Sequence, residues 1–285
     1  MTRILKGSTV SKQIIEETRQ DIENLHSIGV TPTLCIIRLG NNPDDISYES
    51  GAVKKAVSLG IGVQKNVLDR NASQEELIRA IEAANHDESI NGIMVFRPLP
   101  GHIDDAAVRN ALDARKDVDG ISDKSLVGVF TGSSIGYPPC TAQACLEILD
   151  RNGIEISGKR AVVAGRSLVV GKPVAMMLLK RNATVTICHT KTDDLPSVCR
   201  EAEILIVAVG KDGVIGGDYL TKGQTVIDVG INLASDGTLC GDVRYDEALG
   251  TVEAITPVPG GVGTVTTAVL MKHVVNAALQ MIKRI

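Results

Sequence analysis

The chain has 285 residues, 44% of them hydrophobic, enough for one large core or two ordinary ones, and two domains is the better expectation. Its net charge of −4 comes from 30 basic and 34 acidic side chains interspersed along the sequence, which leaves no basic footprint for nucleic acid or anionic lipid. Aromatic residues make up 2% and Trp is absent, so the stacking platforms used by single-stranded nucleic acids are missing and a small-molecule ligand is favoured.

The first residues, MTRILKGSTVSKQ, lack an apolar segment of the kind a secretory signal needs, and no run of eighteen apolar residues follows, so the reading is a cytoplasmic protein with no membrane partner. Apolar residues at helical spacing (Val10, Ile14, Ile15, Ile22, Leu25) predict a helix over 10–29, and TLCIIRL predicts a buried strand over 33–39 ended by Gly40. A helix near 46–59 stopped by Gly60, a strand over 61–68, a helix over 73–85 and a strand over 92–96 come next. Ser73 and Glu76 form a capping-box signature at the start of that second helix. Strands alternating with helices imply a parallel sheet.

A helix from Thr141 to Arg151 leads to a second alternating set: strand 160–164, helix 170–181, and strands 183–188, 204–209 and 225–230. The segment TPVPGGVGTVT at 256–266 reads as a Pro/Gly-rich loop, and the stretch from there to Ile285 as a helix. The six cysteines are scattered, with no Cys/His spacing of a zinc site, so they read as reduced thiols and no metal is expected.

The turn after strand 160–164 runs Gly165, Arg166, Ser167, Leu168, Val169, Val170, Gly171. It departs from G-x-G-x-x-G, since Ser167 stands at the second glycine and the last interval is one residue longer, but it follows a strand and opens a helix. Such a turn aims backbone N–H groups and the positive end of a helix at a pyrophosphate. At the end of the next strand, where an NAD enzyme carries an acid for the ribose 2′-hydroxyl, the sequence reads Cys188, His189, Thr190, Lys191. A hydroxyl beside a lysine, with Arg166 in the turn, suits a 2′-phosphate and hence NADP. Asp193 and Asp194 lie slightly further on and keep NAD as the less favoured choice. Arg166 and Lys191 also read, more plainly, as solvated surface charges, and His189 as a strand end.

Four further segments lie at strand or helix ends: Asn42-Pro43 with Tyr48; Val95, Phe96, Arg97, Pro98, Leu99, Pro100; Lys116, Asp117, Val118, Asp119, Gly120; and Pro257 to Gly263. Taken with GRSxxVGxP, PPCT at 138–141 and DVGIN at 228–232, they resemble the methylenetetrahydrofolate dehydrogenase/cyclohydrolases, seven motifs in the same order with near-identical spacing. The resemblance implies an α/β fold of two domains with a cleft between them: a folate-binding catalytic domain over 1–140 plus 265–285, and a Rossmann-like NADP domain over 141–264. It also implies a homodimer and a tetrahydrofolate substrate. Carried over by position, Tyr48 and Asp117 take catalytic roles, with Tyr48 packing on the folate and Asp117 bonding its pterin ring. Ala52, Val95, Phe96, Arg97, Pro259, Gly260, Gly261, Val262 and Gly263 border the substrate. Gly165, Arg166, Ser167, Thr190 and Ile231 contact NADP. Taken singly, Tyr48 reads equally as a packing residue, Asp117 as a turn former and PGGVG as a tight turn.

The chain departs from the family at two places. Bifunctional members carry a lysine four residues after the tyrosine and a glutamine in V-Q-L-P-L-P. Here an ungapped count to Gly60 puts Ala52 at the first position, and Phe96 stands at the second. Lys54 is two residues further along, about 200° round a helix, and faces elsewhere. Arg97 stays protonated and cannot act as a base. Hydride donation needs positioning above all, because the folate nitrogen lone pair stabilises the resulting cation. Hydrolysis needs protons moved, a task in which a placed acid/base contributes about 10²–10⁴-fold. The expectation is therefore a dehydrogenase with weak or lost cyclohydrolase activity. Alternatives are a fully bifunctional enzyme using another residue, a non-catalytic NADP-binding regulator, and a reductase of shikimate-like acids.

Overall fold

The computed structural model describes residues 1–283 apart from Ser235. In chain order the elements are β1 (Arg3–Ile4), α1 (Gly7–Ser27), β2 (Thr33–Leu39), α2 (Pro43–Ser58), β3 (Gly62–Leu68), α3 (Gln74–His86), β4 (Gly92–Val95), α4 (Asp105–Ala111), α5 (Asp123–Thr131), α6 (Cys140–Arg151), β5 (Arg160–Ala164), α7 (Gly171–Lys180), β6 (Thr184–Cys188), α8 (Leu195–Arg200), β7 (Ile204–Val207), β8 (Thr225–Asp228), β9 (Asn232–Leu233), β10 (Leu239–Cys240), α9 (Tyr245–Ala248), β11 (Ala254–Ile255) and α10 (Val262–Ile282). The helix read as continuing to Ile285 includes Arg284 and Ile285, which lie outside the described residues.

The chain divides into two compact units, one of Gln13–Cys140 with the segment from Thr267 onward, the other of Met1–Lys12 with Thr141–Thr266. In the first, β2 is the middle strand of a parallel sheet ordered β3-β2-β4. Five of its seven residues are buried, as expected of a strand covered on both faces. Leu77, Ile81 and Ala84 of α3 pack with Cys35, Ile37, Ile93 and Val95 of the strands. Asn42 accepts from Asp44 N and Pro43 opens α2. Ser73 and Glu76 form the capping box read from the sequence.

The second unit has a six-stranded parallel sheet ordered β1-β11-β8-β7-β5-β6. The chain goes from β5 through α7 to β6 on one side and then returns to place β7 on the other side of β5. The order therefore reverses at β5, and ligands of such sheets bind beyond the carboxyl ends of the strands at this point. Val162, Leu205, Val207, Val226 and Ile255 form part of its core.

The sequence reading groups residues 1–140 together, whereas the structure puts residues 1–12 in the six-stranded unit. The reason is β1, whose two residues pair with Ala254 and Ile255 at the sheet edge and are too few to show any periodicity. Strands read over 204–209 and 225–230 stop at Val207 and Asp228, so 208–211 and 229–231 are edge loops. Also unforeseen are the short helices α4 and α5, capped by the side chains of Asp104 and Ser122.

Candidate functional site

In the three-stranded unit, Tyr48 and Ala52 stand one turn apart on α2 and share a face. The Tyr48 ring meets Phe96 edge-on, with centroids 5.8 Å apart and planes at 76°. Although the ring is 42% exposed, its hydroxyl end is desolvated. Burial pushes the phenol pKa up, the charge of Asp119 and the Cys140 thiol add to this, and the Thr267 side chain opposes it. Ala52 is 1% exposed and presents nothing a ligand can touch. Val95 is likewise sealed in the core, so of the expected strand-end contacts Phe96 is the first residue to reach the surface. Lys54 is exposed, and an open groove of about 680 Å³ flanks Phe96, with Asn42, Arg70 and Leu99 among its walls.

The acid expected to meet the pterin lies inside the turn that leads into α5. Asp117 is fully buried and accepts from Ile121 N at 3.1 Å, Ser122 N at 2.8 Å and Ser125 Oγ at 2.6 Å. Both its oxygens are committed to building the turn into α5. Two residues on, Asp119 is half-buried, its carboxyl group set among Asp117, Cys140 and Arg97. Burial raises its pKa to about 7, helped by the charge of Asp117 and opposed by the Cys140 thiol and Arg97. A carboxyl group poised there can donate or accept a hydrogen bond near neutrality. Arg97, expected at the substrate, is instead clamped by Asp105 in a two-point contact at 2.6 and 2.7 Å. Arg109 also reaches Asp105, at 3.0 Å.

In the six-stranded unit, the turn after β5 has the close packing a dinucleotide cradle requires. Gly165 has φ +130°, and a Cβ there would lie 2.2 Å from the Ala208 carbonyl oxygen. A Cβ at Gly171 would lie 2.2 Å from the Gly165 carbonyl oxygen, so the start of α7 can approach the strand only as glycine. Ser167 Oγ accepts from Val170 N at 3.1 Å and Gly171 N at 3.4 Å, supplying the cap that Val170 cannot. Arg166, Ser167, Thr190 and Lys191 are exposed at this strand edge. The cradle fits a dinucleotide, and two basic groups stand beside it.

Ile231 projects 64% exposed beyond β8. It helps line a cavity of about 150 Å³ with Asp228, Gly230, Val258 and the loop 259–263. Residues expected at the cofactor and at the substrate thus border one space. Gly260 has φ +100°, and a Cβ at Gly261 would lie 2.4 Å from the Pro257 carbonyl oxygen. Gly7, which the sequence reading passed over, donates its N–H to Gly260 O at 2.8 Å, and a Cβ on it would strike Gly261 O at 2.1 Å. Asp228, which opens the DVGIN motif, has its pKa raised to about 6 by burial, while N–H groups of Val243, Asp242 and Gly230 pull the other way.

Comparison with known proteins gives two family matches. Residues 5–119 match the tetrahydrofolate dehydrogenase/cyclohydrolase catalytic domain, and residues 139–282 its NAD(P)-binding domain. The chain is 47% identical over 277 residues to the bifunctional protein FolD 1 of Desulfitobacterium hafniense, covering 97% of this chain and 99% of that one. The bifunctional FolD methylenetetrahydrofolate dehydrogenase/cyclohydrolase of Campylobacter jejuni has a crystal structure that superposes with a TM-score of 0.96. It is 37% identical over 98% of this chain and 99% of its own. The Trypanosoma brucei FolD enzyme, solved with NADP cofactor and an inhibitor, gives a TM-score of 0.91 at 34% identity, covering 99% and 98%.

Proposed function

Because the chain belongs to the tetrahydrofolate dehydrogenase/cyclohydrolase family, we propose that it oxidises 5,10-methylenetetrahydrofolate to 5,10-methenyltetrahydrofolate with NADP, and that its cyclohydrolase activity is weak or lost. The observation that carries the second half is the pair at the family's lysine and glutamine positions: a buried Ala52 methyl and the Phe96 ring against Tyr48.

NADP, when bound, supplies the hydride acceptor. Gly165 and Gly171 permit close approach of its pyrophosphate, Ser167 shapes the turn, and Arg166, Thr190 and Lys191 offer the cationic and hydroxyl groups a 2′-phosphate takes. Ile231 offers an apolar surface to the nicotinamide end. On the folate side, the Tyr48 ring packs on the substrate, and Asp119 takes the pterin-bonding role first assigned to Asp117. The loop 259–263, which lines the cavity beside Ile231, has the substrate-bordering role that the family resemblance implies. Oxidation then follows from orientation, with the substrate's own nitrogen stabilising the cation and no protein base required.

Water attack on the methenyl carbon is a different demand. It needs a group that takes and returns a proton, and neither alanine nor phenylalanine has one. The pair is also self-consistent, because a lysine kept at the sealed Ala52 position without its glutamine would leave a buried polar group unsatisfied at about 1–3 kcal/mol. As the family resemblance implies, the enzyme works as a cytoplasmic homodimer. The second reading, a fully bifunctional enzyme yielding 10-formyltetrahydrofolate, is favoured by relatives that are named bifunctional.

One cuvette separates the two readings. Methylenetetrahydrofolate and NADP are supplied, and NADPH and the methenyl product are followed together. A methenyl signal that rises with NADPH and decays only at the enzyme-free rate supports the dehydrogenase reading; rapid enzyme-dependent decay overturns it in favour of the second.

A further inference from the structure

We infer that Asp242 is a positioning residue for the dinucleotide edge: it ties the loop after β7 to the loop after β8 and so fixes where Ile231 stands. This rests on the NADP reading of that edge. Asp242 is fully buried in the segment between β10 and α9. Its Oδ2 accepts from Val209 N at 2.6 Å and Gly210 N at 2.8 Å. Its Oδ1 accepts from Lys211 N at 2.9 Å and Asn232 Nδ2 at 2.9 Å. Three successive backbone N–H groups converging on one anion make the kind of nest that elsewhere holds phosphate. Here the anion is the protein's own.

A second carboxylate backs the first. Asp228 accepts from the Asp242 backbone N–H at 3.1 Å, from Gly230 N at 3.0 Å and from Val243 N at 3.0 Å. The packing around the pair is tight: a Cβ at Gly230 would lie 2.2 Å from Asp242 Oδ1, and one at Gly241 would lie 1.9 Å from Asp228 Oδ2.

Two consequences follow for ligand binding. Ile231, largely exposed and so held little by packing, is flanked by Gly230, bonded to Asp228, and Asn232, bonded to Asp242. The clamp on both neighbours is what sets its position at the mouth of its cavity. In addition, the 209–211 donors are already satisfied, so this loop is closed to phosphate, which leaves that task to the glycine-bounded turn after β5.

The test uses the full-length protein and NADPH itself, whose fluorescence reports binding. Asn232→Ala removes one donor to Asp242 and leaves the three backbone donors in place. It is expected to weaken NADPH binding and raise KM for NADP about five- to tenfold, with kcat at saturation within about twofold and a melting temperature lowered by no more than a few degrees. Asp242→Asn, which sets an amide NH2 against N–H donors, is expected to lose more; if it does not fold, Asn232→Ala alone decides. A variant Asn232→Ala that binds NADPH as tightly as the parent overturns the positioning role while leaving the NADP reading intact. A parent protein that binds no NADPH overturns both.

Discussion

Asp119 and Asp117 lie two residues apart in one turn and face opposite tasks, the first poised to titrate near neutrality and the second locked by three hydrogen bonds to the start of α5. The difference is testable through pH. The folded state holds a proton on Asp119 up to about pH 7, while the unfolded chain releases it near the ordinary aspartate value of 3.8. The native state therefore binds more protons across that window, and this group's contribution to stability is present below it and declines as pH rises through it. Asp119→Asn, neutral throughout, should be destabilised less by raising the pH from 5 to 8 than the parent in urea denaturation, and should raise the folate KM. Parallel pH profiles for the two proteins would show that the residue titrates normally.

Restoring the family pair should restore chemistry. The double substitution Ala52→Lys with Phe96→Gln puts an amine and an amide where a sealed methyl and an aromatic ring now stand. Enzyme-dependent decay of methenyltetrahydrofolate should increase at least about tenfold, a fraction of what a placed acid/base supplies. Forcing a longer side chain into a closed site should cost about 1–3 kcal/mol of stability. Unchanged hydrolysis in a folded double variant would show that these two positions do not limit the reaction.

On the proposed NADP reading, cofactor choice rests on exposed charges. Arg166→Ala and Lys191→Ala should each raise KM for NADP several-fold and leave that for NAD nearly unchanged, because only NADP carries the 2′-phosphate. Equal losses for both dinucleotides would place these side chains at the pyrophosphate instead.

Arg97 is spoken for by Asp105, in a pair that is partly open to solvent. Arg97→Ala should therefore reduce stability by no more than about 1 kcal/mol and leave the dehydrogenase rate within about twofold. If instead methenyl hydrolysis collapsed, Arg97 would be the residue carrying that activity.

Long strands and helices were legible because five or more residues in a row repeat one physical demand, as in the buried run of β2 or the capping box of α3. β1 and β11, of two residues each, exist only because their partner does. Helices α4 and α5 owe their starts to single capping side chains, Asp104 and Ser122. The same limit governs the site. Gly165 and Gly171 announce themselves as a strand-to-helix turn, but nothing in Lys-Asp-Val-Asp-Gly says which acid turns inward. Gly7 and Asp242 act on residues far away in sequence, and no local pattern carries that information.

The pairing of β1 with β11 also bears on how the chain is made. Thr2 Oγ1 bonds the Val252 carbonyl at 2.8 Å across 250 positions, and the other unit likewise draws on residues from Thr267 onward. Neither unit can close until almost the whole chain has left the ribosome. Contacts of such long sequence separation fold slowly, and the unpaired edges of the nascent sheets stay exposed meanwhile. Removing the first few residues takes away a sheet edge, and removing the segment from Thr267 onward takes away most of a core helix, so the yield of soluble protein should respond far more sharply to either cut than to trimming an internal loop.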